Sequence, residues 1–200
     1  MHKIQVPSYI EIFTESTPNP RTLKFLFNFM LVPDGILECT SIEQTEDSIL
    51  AKELLENESI SSVFISNNYI TLTKSETTDK EWFELTIELK EFFKVFFQSG
   101  KDAINPEYKE FKPEREAISD EKNADIVEKI KTLLDKYVKP AVEKDGGNIA
   151  FRTFEEGVVS VELQGSCSGC PSSTITLKNG IEALLKKMVP EVEEVVAING

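Results

Sequence analysis

The sequence predicts an α+β chain of two small mixed α/β domains, the second running α-β-β-α-β, joined by a charged, proline-containing linker. Three observations predict it. Residues 1–100 alternate between short apolar runs of period two and two stretches of helical period. Residues 101–119 are polar and charged, and prolines interrupt them at Asn105-Pro106 and Lys112-Pro113, a semi-extended composition. Residues 120–200 return to helical period, then strand, strand, helix and strand. The expected boundaries are therefore 1–100, 101–119 and 120–200.

In the first domain, Tyr9-Ile10-Glu11-Ile12-Phe13-Thr14 reads as a strand, and the two prolines of Ser16-Thr17-Pro18-Asn19-Pro20 end it in a turn. Leu23, Phe25, Phe27 and Phe29 alternate with Lys24, Leu26, Asn28 and Met30, which predicts a strand over 23–31, closed by Pro33-Asp34-Gly35. A further strand is expected at 36–42, with Cys39 as a small packed hydrophobe. A short helix is expected over Ser48–Asn57, capped by Asp47 or Ser48, with Ile49, Leu50, Leu54 and Leu55 as its apolar positions. Ser62-Val63-Phe64-Ile65 and Tyr69-Ile70-Thr71-Leu72-Thr73 flank Ser66-Asn67-Asn68, a hairpin signal. A long helix over 80–98 would be capped by Asp79. Its apolar positions are Trp82, Phe83, Leu85, Ile87, Leu89, Phe92, Phe93, Phe96 and Phe97; the phenylalanines at 92–97 are expected to pack into the core, with a contact surface as the alternative.

In the second domain, Ser119 or Asp120 would cap a helix with the stripe Ile126, Ile130, Leu133, Leu134 and Tyr137. A helix continuing through Ala141-Val142-Glu143-Lys144 is expected to kink at Pro140. Asp145-Gly146-Gly147-Asn148 turns the chain. Ile149–Phe154 and Val158–Leu163 form a hairpin around Glu155-Glu156-Gly157. A helix over Ser172–Met188 has Ile181, Leu184, Leu185 and Met188 on one face, and Val192–Ile198 supplies the last strand.

Composition excludes several classes. The chain has 200 residues, 22 basic and 35 acidic, for a net charge of −13. Both halves are acidic, so neither carries the basic footprint of a nucleic-acid binder, and an acidic surface disfavours anionic membranes. Three cysteines, an odd number, do not make a disulfide framework and fit reduced thiols. Met1-His2-Lys3-Ile4-Gln5-Val6-Pro7 has neither a secretory apolar core nor an Arg- and Ser-rich leader composition. The expected location is cytoplasmic. His2 is the one histidine, which weakens any histidine-dependent acid–base or nucleophilic mechanism.

The chemistry concentrates in Gly165-Ser166-Cys167-Ser168-Gly169-Cys170-Pro171, a loop between a strand pattern and a helix pattern. Cys167 and Cys170 have a spacing at which two thiolates can ligate one metal site. Two thiolates do not close a four-coordinate shell, and Cys39 is far away in sequence, so a second copy of the chain is the simplest source of the rest. Pro171 suits the first helical position, where its missing N–H costs little. Cys170 then lies where orphan N–H groups and the positive end of the helix dipole favour a thiolate. Gly165 and Gly169 keep side chains away from a bulky ligand, and the N–H groups of Ser168 and Gly169 are candidate donors to cluster sulfides. Ser172, Ser173 and Thr174 are donors of the same kind or helix caps. Spacing alone leaves three chemistries open: an iron–sulfur cluster, a zinc bridge, or a dithiol redox pair.

Asp145-Gly146-Gly147, the hairpin after it, and Leu163-Gln164-Gly165-Ser166-Cys167-Ser168-Gly169-Cys170-Pro171-Ser172-Ser173-Thr174 resemble the C-terminal domain of NifU, found in the Nfu iron–sulfur carriers. The resemblance continues through Thr176-Leu177-Lys178-Asn179-Gly180-Ile181-Glu182 and Val195-Val196-Ala197-Ile198. Thr14-Glu15-Ser16-Thr17-Pro18-Asn19-Pro20, Thr22-Leu23-Lys24-Phe25 and the strand pair at 63–73 resemble the N-terminal Nfu domain. The resemblance implies a scaffold or carrier rather than an enzyme. It implies a [4Fe-4S] cluster held by Cys167 and Cys170 of two protomers, a homodimer when loaded, delivery to apo iron–sulfur client proteins, and supply by upstream cluster-assembly proteins. The N-terminal domain, which has no ligand set of its own, would serve client recognition.

Overall fold

The computed structural model describes residues 6–32, 35–108, 123–168 and 171–199, with the backbone alone at 171–174 and 199. The chain is α+β and separates into two compact units, Met1–Glu110 and Phe111–Gly200.

Among the described residues the first unit has one five-stranded antiparallel sheet, two α-helices and a 3-10 turn at Ile42–Gln44. Its strands are β1 (Ile12–Ser16), β2 (Thr22–Phe27), β3 (Ile36–Cys39), β4 (Ile60–Ser66) and β5 (Tyr69–Lys74), in spatial order β1-β2-β5-β4-β3. Register puts Phe25 opposite Ile70, Leu72 opposite Val63, and Val63 opposite Cys39, so period two delivers one apolar face. The helices are α1 (Ile49–Leu55) and α2 (Trp82–Gln98). From α2, Phe93 and Phe97 enter the core and meet the β2 rings edge-on: Phe93 lies 5.3 Å from Phe25 and 5.2 Å from Phe27, and Phe97 lies 5.4 Å from Phe27. Each ring so buried contributes about 1.5–3 kcal/mol.

Several sequence expectations are corrected in this unit. The second strand ends at Phe27, not Leu31: the amides of Leu31 and Val32 both donate to the Asn67 carbonyl, at 2.7 and 3.0 Å, wrapping the chain around the β4–β5 turn. Phe29, Leu31 and Val32 are still buried, so the apolar pattern past Phe27 records burial without strand pairing. The first strand begins at Ile12 and runs to Ser16. Of the two caps expected for α1, Ser48 serves, its hydroxyl accepting from the Ala51 amide at 2.9 Å. Glu81, not Asp79, occupies the cap of α2 and makes no side-chain cap bond. Ile49, Phe83 and Ile87 face outward. The hairpin turn is Asn67-Asn68, with Asn67 at φ +43°. Residues 101–108, which composition assigns to a linker, pack on the first unit. Ala103 and Ile104 are buried in its core, the Asn105 amide donates to the Asp47 carbonyl (2.7 Å), and the Tyr108 hydroxyl donates to the Ile36 carbonyl (3.0 Å). The rest of the expected linker, and the caps expected at Ser119 or Asp120, lie outside the described residues.

The second unit begins with α3 (Ala124–Leu133), a π-helical turn at Leu134–Val138, and α4 (Lys139–Lys144). The π turn sits just before Pro140. A proline removes its own N–H and crowds the carbonyl four residues back, and one wider turn relieves that clash. It also shifts the helical register by one residue. Tyr137, expected inward, is therefore 53% exposed, while Val138 is 6% exposed. Strands β6 (Gly147–Glu155) and β7 (Val158–Gly165) form the antiparallel hairpin, turning at Glu156 and Gly157 with φ +48° and +81°. Helix α5 (Pro171–Met188) then carries the chain to β8 (Glu194–Asn199), which lies parallel to β7. The parallel partner requires this crossover, because a tight turn joins only antiparallel neighbours. Ile181 and Leu185 of α5 are buried against the sheet, and Met188 is not.

Candidate cluster-binding loop

The cysteine loop hangs between the end of β7 at Gly165 and the start of α5 at Pro171, so its ends are set by the sheet and by an 18-residue helix. Pro171 opens α5, as its fixed φ and missing N–H favour. Cys170 and Gly169 lie outside the described residues.

Cys167 is described, and it is buried, at 7% exposure. Residues 165–168 close a tight turn, in which the Ser168 amide and hydroxyl both donate to the Gly165 carbonyl (3.1 and 2.8 Å). Gly165 has φ +66°, a left-handed conformation that only glycine adopts cheaply. The turn is tied to the 145–147 segment. The Ser166 hydroxyl donates to the Asp145 carbonyl, and the Ser166 amide to the Gly146 carbonyl at 3.3 Å. Ser166 Oγ lies 3.8 Å from Cys167 Sγ.

Gly147 stands opposite Gly165 in the β6–β7 register. A β-carbon built on Gly147 would lie 2.9 Å from Cys167 Sγ and 2.6 Å from the Gln164 carbonyl oxygen. The strand end is thus close-fitted around the thiol. The adjoining side chains brace it: Asn148 Nδ2 donates to Gln164 Oε1 (2.9 Å), Gln164 Nε2 donates to Glu162 Oε1 (3.1 Å), and Glu162 pairs with Arg152.

The loop therefore differs in one respect from a freely exposed pair of thiols. Of the residues expected at the site, Gly165, Cys167 and Ser168 lie in this turn and Pro171 opens α5. The motif alone does not point to Ser166 as the tie or to Gly147 as the close neighbour. The signal for Gly147 was two successive glycines, where one suffices for the turn: Gly146 has φ +84°, and Gly147 needs no positive φ. Cys39 is far from this chemistry in kind as well as in sequence. It is fully buried in the first unit, its thiol donates to the Gln44 carbonyl at 3.3 Å, and burial, with the charges of Glu38 and Asp47, pushes its pKa up to about 11. Among the described residues no group of three or more His, Cys, Asp or Glu gathers into a metal site, and no helix is long and apolar enough to cross a membrane.

Residues 130–196 match the NifU-like domain, and residues 12–100 match the N-terminal domain of scaffold protein Nfu/NifU. The chain belongs to the Nfu/NifU family. It is 38% identical over 187 residues to the human mitochondrial NFU1 iron-sulfur cluster scaffold homolog, covering 94% of this chain and 71% of that protein. The protein of the same name from Drosophila grimshawi is 39% identical over 185 residues, covering 92% of this chain and 60% of its own length. A NifU-like protein of Schizosaccharomyces pombe is 34% identical over 200 residues, covering 98% of this chain and 75% of its own. The human and fly relatives are named as mitochondrial proteins, which overturns the expected cytoplasmic location. Reduced thiols and an acidic surface do not tell one reducing compartment from another.

Proposed function

We propose that this chain is an iron–sulfur cluster carrier, which binds a [4Fe-4S] cluster through Cys167 and Cys170 of two copies and passes it to apo-proteins. The observation that carries the reading is a C-x-x-C in a chain matched by the NifU-like domain model, placed between a strand end and the start of a long helix.

The chemistry of the donors suits that cargo. Iron–sulfur clusters take cysteine thiolates, four for a [4Fe-4S] cluster. Each chain brings two in one loop, so two chains supply the set. Gly165 keeps a side chain away from the cargo, and the helix that opens at Pro171 puts its positive end next to the C-x-x-C in the chain; the Ser168 amide, expected as a donor to sulfide, is instead taken up by the Gly165 carbonyl. A site split between chains has a release route that an enclosed site lacks: separating the chains removes half of the shell, and client thiolates replace the remainder one at a time. The protein then acts as a carrier and not as a catalyst, with apo iron–sulfur proteins as recipients and cluster-assembly proteins as donors.

Anaerobic reconstitution with iron and sulfide tests this. The parent protein and Cys39→Ala are expected to turn brown and to hold iron, and Cys167→Ala and Cys170→Ala to stay colourless. A colourless zinc-bound product, or a metal-free protein that reduces disulfides, contradicts the reading.

A further inference from the structure

We propose that Gly147 forms a berth in which the Cys167 thiol sits retracted beneath the end of β6, and that the thiol leaves this berth by a local movement of the 166–168 turn before it bonds iron. The second half rests on the function proposed above; the berth does not.

Three observations carry the inference. Cys167 is 7% exposed, whereas a sulfur that bonds iron held jointly with another chain must be reachable from that chain. The space its sulfur fills exists because residue 147 has no side chain: a β-carbon there would meet the Gln164 carbonyl oxygen at 2.6 Å, Sγ at 2.9 Å and the Cys167 β-carbon at 3.3 Å, so glycine makes room for the neighbouring strand and for the thiol together. Gly147 carries no positive φ, so its backbone does not demand glycine; the room beside it does. The two glycines of Gly146-Gly147 thus have separate jobs, the first making the turn and the second making the berth.

The structure also locates the movement. Gly165, at φ +66°, begins the turn and tolerates a wide range of backbone angles. The bonds that hold the turn down include Ser166 hydroxyl to Asp145 carbonyl, Ser166 amide to Gly146 carbonyl, and Ser168 to Gly165 carbonyl. Residues 166–168 themselves lie beyond the last β6–β7 pair, Gly147 with Gly165, so the turn can lift at the edge of the ladder. Turns at the edge of a sheet open more often than the unit around them unfolds. A retracted position also gives the thiol somewhere to go when cargo departs.

The test is alkylation of Cys167 by iodoacetamide in the metal-free full-length chain, read by peptide mass spectrometry in a Cys170→Ala background so that the peptide carries one thiol. Labelling is expected at least about tenfold slower than in the urea-unfolded chain, as for a site reached through local opening. Gly147→Ala is expected to bring the rate to within about threefold of the unfolded value. Leu185→Ala, a cavity variant in the same unit away from the berth, is expected to lower stability and leave the Cys167 rate nearly unchanged. Native labelling as fast as unfolded labelling overturns the berth. A rate that rises under Leu185→Ala in proportion to lost stability overturns the local movement, because the thiol would then emerge only by unfolding of the unit. If Gly147→Ala does not fold, the parent and Leu185→Ala rates still decide both points. Protected Cys167 in a protein that never binds iron leaves the berth standing and refutes the proposed function; iron bound through an unprotected Cys167 does the reverse.

Discussion

Replacing Ser166 with alanine removes one oxygen from a residue that is 2% exposed. That oxygen donates to the Asp145 carbonyl and so joins the cysteine loop to the turn that precedes β6. A net hydrogen bond is worth about 1 kcal/mol, and a buried partner left unsatisfied costs about 1–3 kcal/mol. Asp145 is half-buried, so water takes up part of its carbonyl's need, and the expected loss is about 1–2 kcal/mol. Such a loss accelerates hydrogen exchange of the most protected second-unit amides about 5- to 30-fold. Val159, Val161 and Leu163 of β7, all fully buried, are the amides to follow. The single tryptophan, Trp82, lies in the first unit, where its indole donates to the Pro20 carbonyl at 3.2 Å, so its fluorescence melt serves as an internal control and is expected not to move. Exchange at β7 within about twofold of the parent would refute the tie, since an exposed serine costs less than about 0.5 kcal/mol. A shifted tryptophan melt would show that the effect is not confined to the loop's own unit.

Three other outcomes follow from the same geometry. Phe93→Ala is expected to destabilise the first unit by about 3–5 kcal/mol in the Trp82 melt, and Phe83→Ala, at 78% exposure, by less than about 0.5 kcal/mol, with iron binding kept in both. The Cys39 pKa is raised in the fold from 9.0 to about 11 by burial and then by Glu38 and Asp47, so the folded state holds this proton more tightly than the unfolded state. The resulting stability is full below about pH 9 and is lost as pH rises toward 11, and a urea titration should show Cys39→Ala falling less steeply than the parent across that window. Glu182 is held below its usual 4.5, first by the Lys186 side chain and then by the Val195 amide; its contribution is present above pH 4.5 and lost as pH falls through the lowered value, so Glu182→Gln should flatten the acid limb of the stability profile.

Much of this fold is legible in residue order because local and global demands agree. Alternation at Leu23–Phe27 and Val158–Leu163, the Asn67-Asn68 and Glu156-Gly157 turns, and Pro171 at the head of a helix each act within a few residues. The errors lie where a distant contact decides. The strand expected to reach Leu31 stops at Phe27 because the Asn67 carbonyl captures two amides from elsewhere in the sheet. Tyr137 points outward because a π turn before Pro140 adds a residue to the helical count. Ala103 and Ile104 sit in a charged stretch, yet both are buried, since two apolar side chains suffice to anchor a segment whose polar neighbours stay in water. At the candidate site the cysteines and their glycines are visible in the sequence. The fit of Gly147 to Cys167 is not, because they are 20 positions apart and meet only through the β6–β7 register.

The central claim is that two half-sets of thiolates make one site, and native mass spectrometry of the anaerobically reconstituted protein tests it most directly. The account predicts a species of two chains carrying about four irons and four sulfides, reverting to single chains when the cluster is chelated. A cluster retained at full occupancy on one chain, with no thiol added from outside, would contradict it.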